Sequence, residues 1–163
     1  MNPIIIFDFN TLSNISKWVI VDDVVMGGKS NGTFKLDIDG NGVFEGNISL
    51  ENNGGFSLLK YQFKKIAVLN YKQIKLRIKG DGKRYQFRVK SNQNNQHSYI
   101  SFFNTTTNWQ TVTIELADLI PYYRGKKLNL PYFPCKELDE IGVLLGNNKN
   151  EDFKLKIDSI VLV

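Results

Sequence analysis

The period-two alternation of apolar and polar residues constrains this chain most, because no stretch sustains the 3.6-residue apolar stripe of a helix through three turns. Ile74, Leu76 and Ile78 alternate with Lys75, Arg77 and Lys79; beyond residues 80–83, Tyr85, Phe87 and Val89 alternate with Arg84, Gln86, Arg88 and Lys90. Successive side chains of a strand point to opposite faces, so each run has one apolar face and one polar face. The same pattern marks Phe34, Leu36 and Ile38; Phe44, Ile48 and Leu50; Val112, Ile114 and Leu116; and Phe153, Leu155 and Ile157. Strands recurring with turn residues between them predict an all-β sandwich. The two runs flanking residues 80–83 predict a hairpin in which Lys79 faces Arg84, Arg77 faces Gln86 and Lys75 faces Arg88. Two segments predict single helical turns: residues 116–120, stopped by Pro121, and residues 136–140, which follow Pro134. Between them, residues 121–134 carry Tyr122, Tyr123, Tyr132 and Phe133 and read as an ordered crossing loop over one end or edge of the sandwich.

At 163 residues the chain fits one domain, residues 1–163, large enough to bury roughly 70% of its unfolded surface. Its single cysteine, Cys135, cannot close an intramolecular disulfide, so nothing points to an oxidising compartment. Residues 1–8 have no basic flank, and Asp8 interrupts a short apolar run; neither a signal peptide nor an arginine-rich transit peptide is predicted. No run approaches the length of a membrane span. With many asparagines and lysines, the expected location is a bacterial cytoplasm. The net charge of +5 permits acidic partners without demanding them.

Two glycine-rich polar segments exceed what a core needs: residues 21–32, with Asp22, Asp23, Met26, Gly27, Gly28 and Ser30, and residues 49–56, with Glu51, Asn52, Asn53, Gly54 and Gly55. Paired glycines permit positive φ and close approach, and neighbouring acids and amides hold hydrogen bonds at fixed positions. They read as a recognition surface. Met26, Gly27 and Gly28 form one apex, Asp23 and Ser30 brace it, and Asn52, Asn53, Gly54 and Gly55 form the facing wall, with Arg88, Tyr99 and Arg124 as further groove residues. The competing reading is that the glycines make tight turns and the amides cap backbone groups.

Catalytic chemistry is thinly supplied. Cys135 and His97 are the sole members of their kinds and lie in separate loops, too few for structural zinc and poorly placed for a nucleophile pair. Neither glycine pair has the spacing or the following helix of a dinucleotide site, so any cofactor-linked activity would come from a partner, and no cofactor is expected. Asp23 and Glu51 could converge as a glycosidase-like carboxylate pair; alternatively Asp23 holds the turn and Glu51 pairs with a lysine. Asp8 and Asp158, on the terminal strands, are two candidate calcium ligands where six or more oxygens are needed, or else strand-end acids in water. Lys75, Arg77, Lys79, Arg84, Arg88 and Lys90 form either a solubilising face or a cationic strip for an acidic protein, polyanion or RNA. Nucleic acid is the lesser option, because Tyr85 and Phe87 fall on the core side. Trp18, Tyr61, Tyr99, Trp109, Tyr122 and Tyr123 are candidate rings for stacking on a glycan, although most sandwich aromatics are core residues.

The two glycine segments, together with Gly80, Asp81, Gly82, Lys83, Arg84 and Tyr85, Tyr99 with Phe103, Trp109 to Val112, Tyr123 to Gly125, Ile141 with Gly142, and Phe153 to Ile160, follow in an order that resembles the complex I intermediate-associated protein 30 family. The resemblance spans nearly the whole chain. It departs at Val24, where a glycine is common, and at Lys60, which stands where the family has an arginine. It implies a jelly-roll-like β-sandwich of the galactose-binding domain-like type with one or two short helical turns. It further implies a non-enzymatic assembly factor or chaperone-like protein with a protein partner, such as a subunit of a respiratory NADH:ubiquinone oxidoreductase. A carbohydrate-binding module using the same groove is the alternative from another class, and a hydrolase through Asp23 and Glu51 the third.

Overall fold

Alternation along the chain becomes two antiparallel sheets stacked on a shared apolar interior in the computed structural model, which describes residues 2–23 and 27–163. The six-stranded sheet runs β3 (Asn31–Leu36), β4 (Gly42–Ile48), β13 (Glu151–Leu162), β6 (Gln73–Lys79) and β9 (Trp109–Glu115), with β1 (Ile4–Asp8) also paired to β13. The seven-stranded sheet runs β11 (Lys126–Lys127), β10 (Ile120–Tyr123), β8 (Ser98–Asn104), β7 (Arg84–Lys90), β12 (Glu137–Leu145), β5 (Ser57–Ala67) and β2 (Trp18–Asp22). Ile74, Leu76 and Ile78 of β6 and Leu155 and Ile157 of β13 meet Tyr85, Phe87 and Val89 of β7 and Ile141 and Val143 of β12 in the core. One end is filled by rings: Trp18 stacks on Tyr61 at 4.7 Å, and Phe7, Phe9 and Phe34 pack on the indole. Such pairs add specific geometry to the area they bury. The all-β sandwich expected from the alternation is the architecture found.

The expected hairpin is not. β6 pairs with β13 and β9, whereas β7 pairs with β12 and β8, so residues 80–83 carry the chain from one sheet to the other. Lys79 lies beside Lys156 and Trp109, and Arg84 beside Asn104. Two strands with apolar faces toward the same core satisfy the alternation equally well side by side or across the sandwich, and here the second holds. The crossover is pinned: Thr105 Oγ1 donates to the Lys83 carbonyl (2.8 Å) and accepts from Gly82 N (3.1 Å), while Asp81 accepts from Tyr85 OH (3.0 Å) and Lys154 N (2.8 Å). Consequently Lys75, Arg77 and Lys79 lie on the outside of one sheet and Arg84, Arg88 and Lys90 on the outside of the other. The basic residues do not form one strip.

Leu116–Asp118 makes the expected helical turn, of 3-10 type, whereas Glu51–Asn53 is a tight turn broken by the left-handed Asn52 (φ 55°, ψ 38°). Residues 137–140 instead begin β12: Glu137 and Leu138 pair with Ala67 and Ile66 of β5, and from Glu140 the strand has partners on both sides, Gln62 of β5 and Lys90 of β7. The aromatic stretch proves partly a strand edge: β10 reverses at Arg124 and Gly125, both with positive φ (50° and 76°) as a type I′ turn requires, into β11. Phe133 is then buried, its N donating to the Leu119 carbonyl at 3.0 Å. Among the described residues no helix is long and apolar enough to cross a membrane.

Candidate functional site

The two glycine segments lie side by side because adjacent aspartates at the end of β2 reach both. Asp23 is wholly buried; its Oδ1 accepts from Ser30 N (3.0 Å), and its Oδ2 from Ser30 Oγ (2.5 Å), Gly55 N (2.5 Å) and Phe56 N (3.2 Å). Asp22, pointing the other way, accepts from Gly32 N (3.0 Å) and Ser57 Oγ (2.5 Å). Ser30 Oγ also accepts from Ser49 N (2.9 Å), closing the network between the segments. A methyl group at Gly28 or Gly54 would come within 2.5 Å of the Asp23 carboxylate, so both positions must lack a side chain for the network to close. Gly55 takes a positive φ of 142° beside it.

Burial alone would raise the Asp23 pKa, but the hydrogen bonds from Ser30, Gly55 and Phe56 outweigh it, and the net shift is below the ordinary 3.8. Asp37 shifts the same way: burial raises it, while Asn41 N, the Lys156 ammonium and Asp39 N lower it further. A carboxylate with a folded pKa below its unfolded value stabilises fully above the unfolded value and loses that contribution as pH falls through the folded one. The melting temperature is therefore expected to hold from neutrality to about pH 5 and to fall steeply below about pH 4, with a shallower acid limb in Asp23→Asn, measured by thermal scans across pH.

Among the described residues, the exposed part of this end is Gly27, Lys29, Glu51 and Asn52. Glu51 pairs with Lys29 at 3.1 Å, both well exposed; Asn52 is exposed with a φ of 55°, and Gly27 is exposed with a φ of 87°. Met26 lies outside the described residues, as does the side chain of Asn53. Asp23 and Glu51 do not form a catalytic pair, because Asp23 is sealed from solvent with both oxygens occupied while Glu51 is held by a lysine in water. Nor do Arg88, Tyr99 and Arg124 share a groove. Val89 pairs with Tyr99 and Arg88 with Ile100, so Arg88 and Tyr99 point to opposite faces of the sheet. Tyr99 faces the interior against Phe133 (5.2 Å), its hydroxyl 3.3 Å from His97 Nε2. Arg124 turns at the Ser98 end of the sheet, whereas the glycine segments adjoin the Ser57 and Leu145 end.

Other candidates resolve simply. Cys135 is half-buried and donates to the Phe133 carbonyl at 3.4 Å; burial pushes its thiol up, away from a reactive thiolate. Asp8 pairs with Ser159, and Phe9 N donates to the Asp158 carbonyl (2.9 Å), so the terminal strands meet as expected, but among the described residues no group of three or more acidic, His or Cys side chains could hold a metal. Trp18 and Tyr61 are spent in the core.

A second feature, which no sequence motif marks, is the outer face of the seven-stranded sheet. Ile100, Arg88, Gly142 and Lys60 lie abreast across β8, β7, β12 and β5, flanked by the row Phe102, Gln86, Leu144 and Leu58. Ile100 and Leu144 are buried (2% and 7% exposed) although they point away from the core, whereas Phe102 is 41% exposed. Arg88 Nε donates to Gln86 Oε1 (3.2 Å), Gln62 Nε2 donates to Glu140 Oε1 (2.7 Å), and the Arg84 guanidinium covers the Phe102 ring at 4.3 Å. Burial pulls the Arg88 pKa down and Glu140 opposes it. The sequence signal was β12, whose run from Leu138 to Leu145 is buried on both faces, unlike a strand with one side in water.

The family's sequence profile, that of complex I intermediate-associated protein 30, matches residues 7–157. The chain belongs to that family. No curated protein matches it otherwise. Among solved structures, this family member is similar to the family 11 carbohydrate-binding module of the cellulosomal cellulase Lic26A-Cel5E of Clostridium thermocellum, with a TM-score of 0.73 and 15% identity over 99% of this chain and 94% of that one. The family 11 module from Clostridium thermocellum in complex with a β-1,3-1,4-mixed-linked tetrasaccharide gives 0.71 and 15% over 99% and 95%. The agarase AgWH50C gives 0.64 and 10%, over 99% of this chain and 24% of that chain. At these identities the likeness establishes the galactose-binding-like jelly-roll fold and nothing finer.

Proposed function

We propose that this complex I intermediate-associated protein 30 domain is a non-catalytic recognition module that docks a protein partner on the outer face of its seven-stranded sheet during assembly of a multisubunit complex, of the respiratory NADH:ubiquinone oxidoreductase kind. The observation that carries the reading is the Arg88 neighbourhood. A half-buried guanidinium flanked by Ile100 and Leu144, with Phe102 exposed beside it, has the composition of an interface centre, where arginine and aromatic residues dominate the binding energy. The family supports a protein partner. The occupied carboxylate of Asp23 and the raised thiol of Cys135 favour binding over catalysis.

Affinity capture from the native host tests it, using wild type beside Arg88→Glu matched by far-ultraviolet circular dichroism. A membrane-complex subunit is expected with wild type, and its affinity should fall at least thirtyfold in the variant, the loss typical of a central interface residue. Equal recovery by both proteins would refute the docking face.

A glycan is the second reading, favoured by one observation: the same face offers Tyr122, Gln62, Glu140 and Gln86 beside Arg88, a ring with amide and acid groups of the kind that bind sugar hydroxyls. Titration with soluble β-glucans separates the two. Saturable binding that Arg88→Glu abolishes would put a glycan in place of the protein.

A further inference from the structure

We infer that the β10–β11 hairpin and the loop after it form a docking site for an anionic lipid surface. Residues 119–136 contain Arg124, Lys126, Lys127 and Lys136 and no aspartate or glutamate. All four cations are exposed, and none is in an ion pair among the described residues. Between them stand Leu130 and Tyr132, 48% and 47% exposed, with the Lys127 ammonium 5.8 Å from the Tyr132 ring. The acids at this end of the sandwich lie on the strands and the turn leading in and out: Glu115 accepts from Gln73 Nε2 (2.6 Å), Glu137 and Asp139 pair with Lys65 (3.5 and 3.9 Å), and Asp118 sits exposed in the turn before β10.

The placement matters as much as the charge. The tight turn at Arg124 and Gly125 and the hydrogen bonds of Leu128 N to Pro121 O (2.9 Å) and Phe133 N to Leu119 O (3.0 Å) hold the cations and the apolar side chains in one rigid projection. Leu69, 71% exposed, stands at the same end, since Val68 N donates to the Lys136 carbonyl (2.9 Å). Lysines and arginines around exposed leucine and tyrosine suit a phosphate-bearing membrane interface, where cations meet headgroups and amphipathic rings sit at the boundary. A nucleic-acid site would want bases stacked on open ring faces, and here the Tyr123 and Tyr132 rings already carry the cations of Arg124 and Lys127. The inference stands independently of the protein-docking face, because a vesicle needs no protein partner.

The test is co-sedimentation of the whole chain with phosphatidylcholine vesicles, with and without phosphatidylglycerol. Binding is expected only to the anionic vesicles and should be released by salt. Each lysine near such a surface is worth about a fivefold gain, so Lys126→Gln/Lys127→Gln should weaken partitioning about 25-fold. Lys75→Gln/Lys79→Gln, the same change in net charge on the other sheet, should leave it unchanged. Absence of wild-type binding, equal binding by Lys126→Gln/Lys127→Gln, or an equal loss in Lys75→Gln/Lys79→Gln would overturn the site. So would Leu130→Ser leaving partitioning unchanged while single-stranded RNA binds the hairpin more tightly than vesicles do.

Discussion

Asp23→Ala is expected to destabilise the fold by about 4 kcal/mol, among the largest losses a single substitution gives. The carboxylate is buried and receives Ser30 N, Ser30 Oγ, Gly55 N and Phe56 N. Removing it leaves the buried Ser30 N–H and hydroxyl and the part-buried Gly55 and Phe56 N–H groups without their acceptor, each costing about 1–3 kcal/mol where water or local movement does not restore a partner. Partial relaxation of the exposed apex keeps the total below the simple sum. Asp23→Asn retains one acceptor oxygen and should fall between alanine and wild type. The check is urea unfolding: the midpoint should drop with the slope unchanged, since the same surface is exposed on unfolding. A loss under 1 kcal/mol for Asp23→Ala would mean that the two segments hold together without it.

Gly28→Ala and Gly54→Ala should each cost about 1–3 kcal/mol, through overpacking against that same carboxylate and not through backbone strain. A methyl group at Gly28 would meet Asp23 Oδ1 and Cγ at 2.5 Å, and one at Gly54 would meet Oδ2 at 2.5 Å and the Ser49 carbonyl at 2.9 Å. Gly54 has a φ of −73°, which any residue adopts, so its requirement is one of space. Because the clash is with Asp23 itself, the double variant Asp23→Ala/Gly28→Ala should be less destabilised than the sum of its singles. Gly27 is the contrast: a methyl group there meets nothing within 4 Å among the described residues, and its φ of 87° makes a side chain costly.

Much of the fold was legible because the face a residue takes is a local property. Tyr85, Phe87 and Val89 are buried where alternation put them, as are Ile74, Leu76 and Ile78. Which strands pair is not local. Residues 80–83 connect two strands whose pattern is the same for neighbours in one sheet and for partners across the core, and only the long-range ladders of β13 and β12 decide between them. The same limit separated Arg88 from Tyr99: their opposite faces follow from the register of β7 on β8, which no single strand encodes. Residues 136–140 read as a turn because Pro134 and charged residues precede an apolar run, and pairing with β5, joined by β7 from Glu140 on, outweighed that local signal. At the glycine segments, residue types led to two stretches facing each other and left a lysine partner for Glu51 as one of two readings; that Asp23 accepts Gly55 N and Phe56 N was not legible, because it depends on β2 pairing with β5. The outer face around Arg88 was not, because a polar side chain on a strand looks the same whether it meets water or is half-buried between Ile100 and Leu144.

The most direct measurement is the affinity of the captured partner for two fold-matched variants, Arg88→Glu on the sheet face and Lys29→Ala/Glu51→Ala/Asn52→Ala at the exposed apex of the glycine segments. Recognition through the sheet face predicts that Arg88→Glu loses binding at least thirtyfold while the apex triple variant binds as wild type does. The reverse pattern, with Arg88→Glu unaffected and the apex variant unable to bind, would contradict it and assign recognition to the glycine segments.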